Sequence, residues 1–570
     1  YRVICEKTMK FSRDKIEMKP PGGVPTAHRD TYARDLLPDT NLQPEYDYSG
    51  VPELTTYADH QNAGVELLDK MVARGFGGLA VLHYEDKSWT YNELLKLSNR
   101  LARVLIEDCS LVTGGRVLLR AGNTPMLVAC WFAVLKAGGI CVTTMPLLRS
   151  RELSYILDRA GVTIALCDTN LDTDLEEAAA ISAELKHLLY FTTMAGGGNV
   201  ATLEKAAEGK SSDLKNADTA ADDVALIAFT SGTTGQPKGT IHFHRDIMAI
   251  TDCFPRYVGK ITPNDVISGT PPLAFTFGLG GVTLFPMRFG ASTRFFPGTG
   301  PEALTETISN YQVTQVYTAP TVFRSMADLT GKFNLSSLRQ GISAGETLPK
   351  ATWEAFHEAT GIKLIDGLGS TEMLHIFVSA APNEMLPGYT GKAIPGYQAK
   401  VMDEKGSEVP SGTPGLLAVK GPTGCRYMDD PRQSDYVRNG WNYPGDIYET
   451  NEEGYFRYVA RADDMIISSG YNISGPEIEG VLLEHIEVAE CAVIGSSDPE
   501  RTQIVKAFIV LRDENKRGDD LTKTLQDFVK NRIAPYKYPR TIQYVDKLPK
   551  TATGKLQRFR LRQEDEAIST

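Results

Sequence analysis

The chain has no CxxC pair among its eight cysteines (Cys5, Cys109, Cys130, Cys141, Cys167, Cys253, Cys425, Cys491), and their scatter suggests neither a zinc site nor a disulfide framework. A reducing compartment fits, and the expected location is cytoplasmic. It has no excess of positive charge: the net charge of −11 argues against a general nucleic-acid binder, which needs a dominant basic surface. It has no internal repeat and no low-complexity tract. Residues 1–23 lack an apolar signal core, and Glu6, Asp14 and Glu17 count against a transit peptide. The one uncharged run long enough to cross a bilayer, Val266 to Met287, contains Pro271, Pro272, Pro286 and four glycines, so it reads as buried core and pocket wall.

What is present is an ordinary globular composition, 42% hydrophobic and 23% charged, over 570 residues. That length exceeds what one core usually serves, so at least two domains are expected. Val117 to Leu119 reads as a strand, Pro125 to Lys136 as a helix with Leu127, Trp131, Val134 and Leu135 at helical spacing, and Ile140 to Thr144 as a second strand. This is a βαβ unit. Val224 to Phe229 reads as another strand, followed by a Gly/Ser/Thr loop and a helix from about His244. Near the C-terminus the pattern changes to a helix start at Ser474-Gly475-Pro476-Glu477 and strands over Ala492 to Ile494 and Ile504 to Leu511. From Leu521 to Arg562 eleven Lys/Arg stand against two acids, Asp527 and Asp546. Each charge alone reads as solvated surface, but their concentration suits a polyanionic ligand.

The strongest local signal is TSGTTGQPKG, Thr230 to Gly239, directly after an apolar strand. Small residues admit backbone amides to phosphate oxygens, Ser231, Thr233 and Thr234 supply hydroxyls, Gly232 and Gly235 supply space, and Lys238 supplies charge. A Walker loop requires glycine before the lysine and Ser or Thr after it; Pro237 and Gly239 flank Lys238, so that reading fails. The loop resembles the signature of the acyl-adenylate-forming superfamily. Further strings match in the same order: DGLGSTE (Asp366–Glu372), WNYPGD (Trp441–Asp446), RADDMIISSGYNISGPEIE (Arg461–Glu479) and PKTATGKL (Pro549–Leu556).

The resemblance implies an α/β large N-terminal domain of the acyl-adenylate-forming fold over 24–460, with a smaller mobile α+β C-terminal domain over 461–570 and an unassigned extension at 1–23. It implies ATP, Mg²⁺ and coenzyme A as cofactors, a small aryl carboxylic acid as substrate, and no nucleic-acid or membrane partner. Glu372 would hold Mg²⁺, a hard carboxylate for a hard cation, and Thr371 would contact the α-phosphate. Thr230, Ser231, Gly232, Thr233, Thr234, Gly235 and Lys238 would cradle the triphosphate. Gly345, Glu346 and Thr347 would form one wall of the adenine site and Asp366, Gly367 and Leu368 another. Asp446 would take the ribose hydroxyls, with Arg461 beside it. Lys555 would be catalytic, its ammonium stabilising charge as the carboxylate attacks the α-phosphate. Rotation about Asp463 would then bring Gly470 and Tyr471 to the thiol path.

Two departures stand out: Leu368 occupies a position often aromatic in the family, so adenine packing is expected to be aliphatic, and Pro444 removes a hydroxyl and a backbone donor before Gly445-Asp446. The acid pocket is expected to be walled by Phe275, Thr276, Phe277, Ala344, Gly345, Gly369, Met373 and His375. Aromatic walls with small residues favour a flat ring, and the strings PPLAFTFGLGG, SAGE and GLGSTEMLHIF that supply them, with AHRDTYARDLLP and GPTGCRYMDD, most resemble benzoate-CoA and, more closely, 2-aminobenzoate-CoA ligases. His375 reads equally as a satisfied core histidine. His242 and His244 are not expected to bind metal. Loading of a carrier protein, a luciferase-like oxygenase, activation of another small acid and a non-catalytic nucleotide-binding protein are the alternatives, the last opposed by intact Lys555, Glu372 and Asp446. Lys555 lies close to Thr570, so no fused carrier domain is expected.

Overall fold

The computed structural model describes residues 24–192, 202–230, 237–462, 464–468, 471–498, 501–550 and 556–569. The described residues form four sheets. A six-stranded sheet runs His187–Phe191, Ile164–Asp168, Arg116–Arg120, Ile140–Thr144, Val224–Thr230, Lys238–Phe243. Its first five strands are parallel; the sixth is antiparallel to its neighbour. A nine-stranded sheet carries, among others, Val266–Gly269, Gln315–Thr318, Gln340–Ala344 and Ile365–Gly369 side by side and parallel.

The βαβ unit follows from its sequence punctuation. Thr124 accepts the Leu127 N–H at 3.3 Å, Pro125 fills the first helical position where no donor is needed, and the helix spans Pro125–Lys136. It ends at Gly138, whose φ of +78° suits glycine; a Cβ there would lie 2.6 Å from Thr113 and 2.8 Å from Ala217. The expected apolar face turns out to extend round the helix, with Lys136, paired to Asp69, as its one charged residue. All twelve residues of this helix are buried, because it lies between the two large sheets: Val81 and Leu82 of one share its core with Val117 and Leu119 of the other.

One strand escaped the sequence reading. Lys238–Phe243 folds back antiparallel on Val224–Thr230, with Thr230 opposite Lys238, and only then does the helix His244–Asp252 begin. Lys238, Thr240 and His242 break the apolar alternation, yet Thr240 and His242 are buried. The glycine-rich loop therefore joins two strands of a hairpin and does not lead into a helix. The uncharged run from Val266 to Met287 forms a strand, a turn and short buried helices. Among the described residues no helix is long and apolar enough to cross a membrane.

C-terminal to these, a six-stranded sheet occupies 398–461 and a five-stranded sheet occupies 466–544. The last sheet has its own core, including Ile466, Ile478, Leu482, Val505 and Leu525. Ser474 caps the helix Gly475–Leu483 by accepting the Glu477 N–H at 3.2 Å. The two strand segments read from sequence are the inner parts of one long hairpin, Val488–Asp498 with Thr502–Leu511. The basic stretch is substantially neutralised: Lys530, Arg532, Lys537, Lys550, Arg558 and Arg562 pair with Asp527, Glu484, Glu477, Glu490, Glu479 and Asp464. Its field is correspondingly weaker than the count of charges implied.

Candidate active site

Parallel pairing brings the two expected walls of the adenine site together at the strand ends. Ser343 lies opposite Asp366 and Ala344 opposite Gly367, so Gly345-Glu346-Thr347 and Asp366-Gly367-Leu368 are neighbours across one sheet edge. Gly345 turns the chain with φ of +90°. Leu368 is half-buried and aliphatic. Asp366 is buried: desolvation pushes its carboxyl up to about 7, against bonds from the Thr390 hydroxyl and the Gly367 N–H that favour the charged form. Gly367 has no room for a Cβ, which would stand 2.5 Å from Ile376.

The turn that presents Thr371 and Glu372 is fixed from several sides. Leu374 holds a φ of +69°, and its N–H reaches the Thr371 carbonyl at 3.1 Å. His242 Nε2 donates to the same carbonyl at 2.8 Å. The Ser370 hydroxyl accepts from Met373 N–H and bonds Tyr436, while Thr423 donates to the Met373 carbonyl. Burial pushes His242 down to about 4, so it is neutral. His244 instead accepts the Ala63 N–H, and the two histidines serve separate partners.

Glu372 is buried, and its Oε1 lies 3.9 Å from the Lys238 ammonium. Thr230, opposite Lys238 in the hairpin, has a buried hydroxyl with no partner among the described residues. Asp446 pairs with Arg461 at 3.1 Å, and Arg461 also donates to the Pro444 carbonyl at 2.8 Å. Pro444 thus contributes an acceptor although it lacks a donor. Tyr436 lies within electrostatic reach of Glu372 and Asp446, and Tyr448 within reach of Asp446 and Asp366, which gathers these carboxylates into one region.

Ser231, Gly232, Thr233, Thr234, Gly235, Asp463, Gly470 and Lys555 lie outside the described residues, as does the extension at 1–23, and Tyr471 is described only as the first residue of the strand Tyr471–Ile473. The residue after Lys555 is anchored. The Leu556 N–H donates to Glu346 at 3.0 Å, so the C-terminal segment reaches the edge where the first of these walls stands.

The aromatic residues also converge. His375 packs among Phe285, Phe277 and Phe254, with ring centroids at 4.4, 5.7 and 6.0 Å, and Phe277 meets Tyr317 at 6.0 Å. The His375 Nε2 faces the Phe277 carbonyl at 3.4 Å, its Nδ1 is buried without a partner among the described residues, and burial pushes its pKa down to about 3. Phe275 is half-buried just before the helix Thr276–Leu279, Thr276 is buried beside it, and Ala344 is buried at its strand end. Gly369 is exposed, whereas Met373 is fully buried. Asn123 pins the preceding segment by bonds to Pro271 and Leu273 at 2.9 and 2.8 Å. Phe254, Phe285, Tyr317 and Asn123 were not singled out from sequence, because they come from distant segments and carry no local pattern.

A model of the AMP-binding enzyme family matches residues 70–426, and a model of the AMP-binding enzyme C-terminal domain matches residues 477–555. The chain belongs to the AMP-binding enzyme family. It is 34% identical over 523 residues to a benzoate–CoA ligase of Thauera aromatica, covering 90% of this chain and 98% of that protein. It is 32% identical over 496 residues to the human mitochondrial acyl-coenzyme A synthetase ACSM3, covering 84% of each. Among solved structures it is similar to the anthranilate CoA ligase AuaEII in complex with anthranoyl-AMP, with a TM-score of 0.85 and 31% identity over 90% of this chain and 99% of that one. It has the acyl-adenylate-forming fold, a large N-terminal domain with a small C-terminal one. As a member of the AMP-forming acid–thiol ligases it sits in a family whose substrates are ATP and CoA.

Proposed function

We propose that this chain is an aryl-CoA ligase working in two steps: a carboxylate and ATP give acyl-AMP and pyrophosphate, and acyl-AMP and CoA give acyl-CoA and AMP. The first candidates for the acid are 2-aminobenzoate and benzoate. The observation that carries the aryl reading is the aromatic cluster of Phe254, Phe277 and Phe285 packed against a neutral His375, with Tyr317 packed in turn against Phe277 and Phe285. Flat rings bury well on such walls, at roughly 25 cal/mol per Å² of apolar surface. With Nε2 facing a carbonyl, Nε2 carries the proton and Nδ1 is an acceptor, suited to an amino group on the ring.

In this reading the loop from Thr230 and Lys238 cradle the triphosphate, Thr371 contacts the α-phosphate and Asp446 with Arg461 holds the ribose. Glu346 and its neighbours meet the adenine opposite Asp366, Gly367 and Leu368. Lys555, next to the anchored Leu556, stabilises the charge that builds as the carboxylate attacks. Glu372 fits a divalent cation: Oε1 is engaged within the protein, while Oε2 has no partner among the described residues. Bound Mg²⁺ would supply charge neutralisation on the phosphates. Domain limits of 24–460 and 461–570, with Asp463 as hinge and Gly470 and Tyr471 on the thiol path, complete the proposal.

The test is AMP formation with CoA across benzoates, aminobenzoates, hydroxybenzoates and fatty acids. An aryl acid is expected to give the highest kcat/KM, and His375→Ala and Thr276→Ala are expected to change the ratio of 2-aminobenzoate to benzoate, within the roughly 1–3 kcal/mol one substituent commands. Octanoate outperforming every aryl acid would overturn the aryl reading and favour the acyl acids to which the likeness with the human acyl-coenzyme A synthetase points.

A further inference from the structure

Tyr427 belongs to none of the roles above, yet it stands where two of them meet. Its backbone segment is clamped along the Lys238–Phe243 strand: Ile241 N–H donates to the Arg426 carbonyl and Met428 N–H to the Gly239 carbonyl, both at 2.8 Å, and Thr240 bridges Tyr427. The Tyr427 N–H is taken by Gln433 at 2.8 Å, and its ring stands edge-on to Tyr436 at 5.7 Å. The side chain is fully buried and cannot swing away cheaply.

Its hydroxyl lies 2.6 Å from the Lys238 ammonium and in direct hydrogen-bond contact with Glu372 Oε1, and the ammonium also sits 4.4 Å from its ring centroid. The bond directions are forced by chemistry. An ammonium only donates and a carboxylate only accepts, so Lys238 N–H points at the phenol oxygen and the phenol O–H points at Glu372.

We infer that Tyr427 is a positioning residue that parks Lys238 against Glu372 before the nucleotide arrives and afterwards keeps Glu372 oriented for the cation. The incoming triphosphate, with more charge than one carboxylate, draws Lys238 away. The phenol O–H stays on Oε1, which leaves Oε2 as the oxygen presented to the metal. This rests on the reading of Lys238 as a phosphate ligand and Glu372 as the metal carboxylate.

The experiment uses the full-length protein with Mn²⁺ as probe, titrated by electron paramagnetic resonance in the presence of ATP, with metal-free ATP binding measured by calorimetry. Tyr427→Phe keeps the ring and removes only the hydroxyl. It is expected to weaken Mn²⁺ binding about tenfold, the scale of one charge-assisted hydrogen bond. Metal-free ATP should bind as in wild type or more tightly, because Lys238 is no longer parked. Thioester formation from supplied acyl-adenylate should keep its wild-type rate, a pattern that lost packing would not give. Unchanged Mn²⁺ affinity in Tyr427→Phe, with Glu372→Gln weakened, would overturn the inference alone. Parallel loss of Mn²⁺, ATP and thioester formation in Tyr427→Phe would also overturn it, by making the hydroxyl structural. Unchanged Mn²⁺ affinity in Glu372→Gln would instead refute the reading of Glu372.

Discussion

Single side chains in this site act through what they are tied to. His242 never needs to touch a ligand to matter, since its bond to the Thr371 carbonyl helps hold the turn that carries Glu372. Lys555 is the opposite case, a residue whose proposed work is done entirely on the reacting atoms. Lys555→Ala is expected to slow adenylate formation by about two or more orders of magnitude, the scale of losing a charge aimed at the transition state, while thioester formation from supplied acyl-adenylate largely survives. Pyrophosphate exchange and a single-turnover CoA assay measure the two separately. Equal loss in both would remove Lys555 from the adenylation step.

Elements meet the aromatic cluster through glycines. A Cβ at Gly280 would stand 2.4 Å from the His375 ring, and one at Gly281 would stand 2.4 Å from the Tyr317 ring, so this short helical stretch approaches both rings only because it lacks side chains there. Gly280→Val is therefore expected to displace His375, cost about 1–3 kcal/mol through overpacking and raise KM for the acid. Thermal unfolding and acid kinetics check this together. A stable variant with unchanged KM would show that the ring adjusts and does not bound the acid site. In the same way, the hairpin joining Thr230 to Lys238 sets two phosphate-loop residues opposite each other, a placement that the expected loop-to-helix arrangement would not have produced.

Across the entire protein, buried histidines fold neutral. Burial pushes His28 and His242 down to about 4 and His244 and His375 to about 3, against 6.5 when unfolded. The unfolded chain binds these protons first, so their contribution to stability is fully present above 6.5 and is lost as pH falls from 6.5 toward about 3. Asp366, raised to about 7, works the other way: the native state keeps its proton longer, which lowers stability as pH rises from about 4 to 7. Four histidines outweigh one carboxyl. The melting temperature is expected to drop as pH is lowered from 7 to 5, and His375→Phe should flatten that slope by removing one proton uptake, about 5 kcal/mol if the full shift were titrated. An unchanged slope in the variant would mean that His375 is charged in the folded protein.

Elements whose signals are local were legible in the order of residues alone. A Thr-Pro start and a Gly-Gly stop bounded the helix Pro125–Lys136, and Ser474 with Pro476 marked the start of another, because caps and breakers act within a few residues. Five strings in a fixed order carried the family as well. What depends on distant neighbours had to wait for the folded chain. Lys238–Phe243 is a strand because its polar Thr240 and His242 find buried places, a condition that no six-residue window can register. The ring cluster draws Phe254, Phe285, Tyr317 and His375 from four separate segments, and Tyr427 reaches Lys238 and Glu372 from 189 and 55 residues away along the chain. Short-range sterics and hydrogen bonding are written residue by residue. Burial, charge pairing and the meeting of side chains across sheets exist only once the chain has closed on itself.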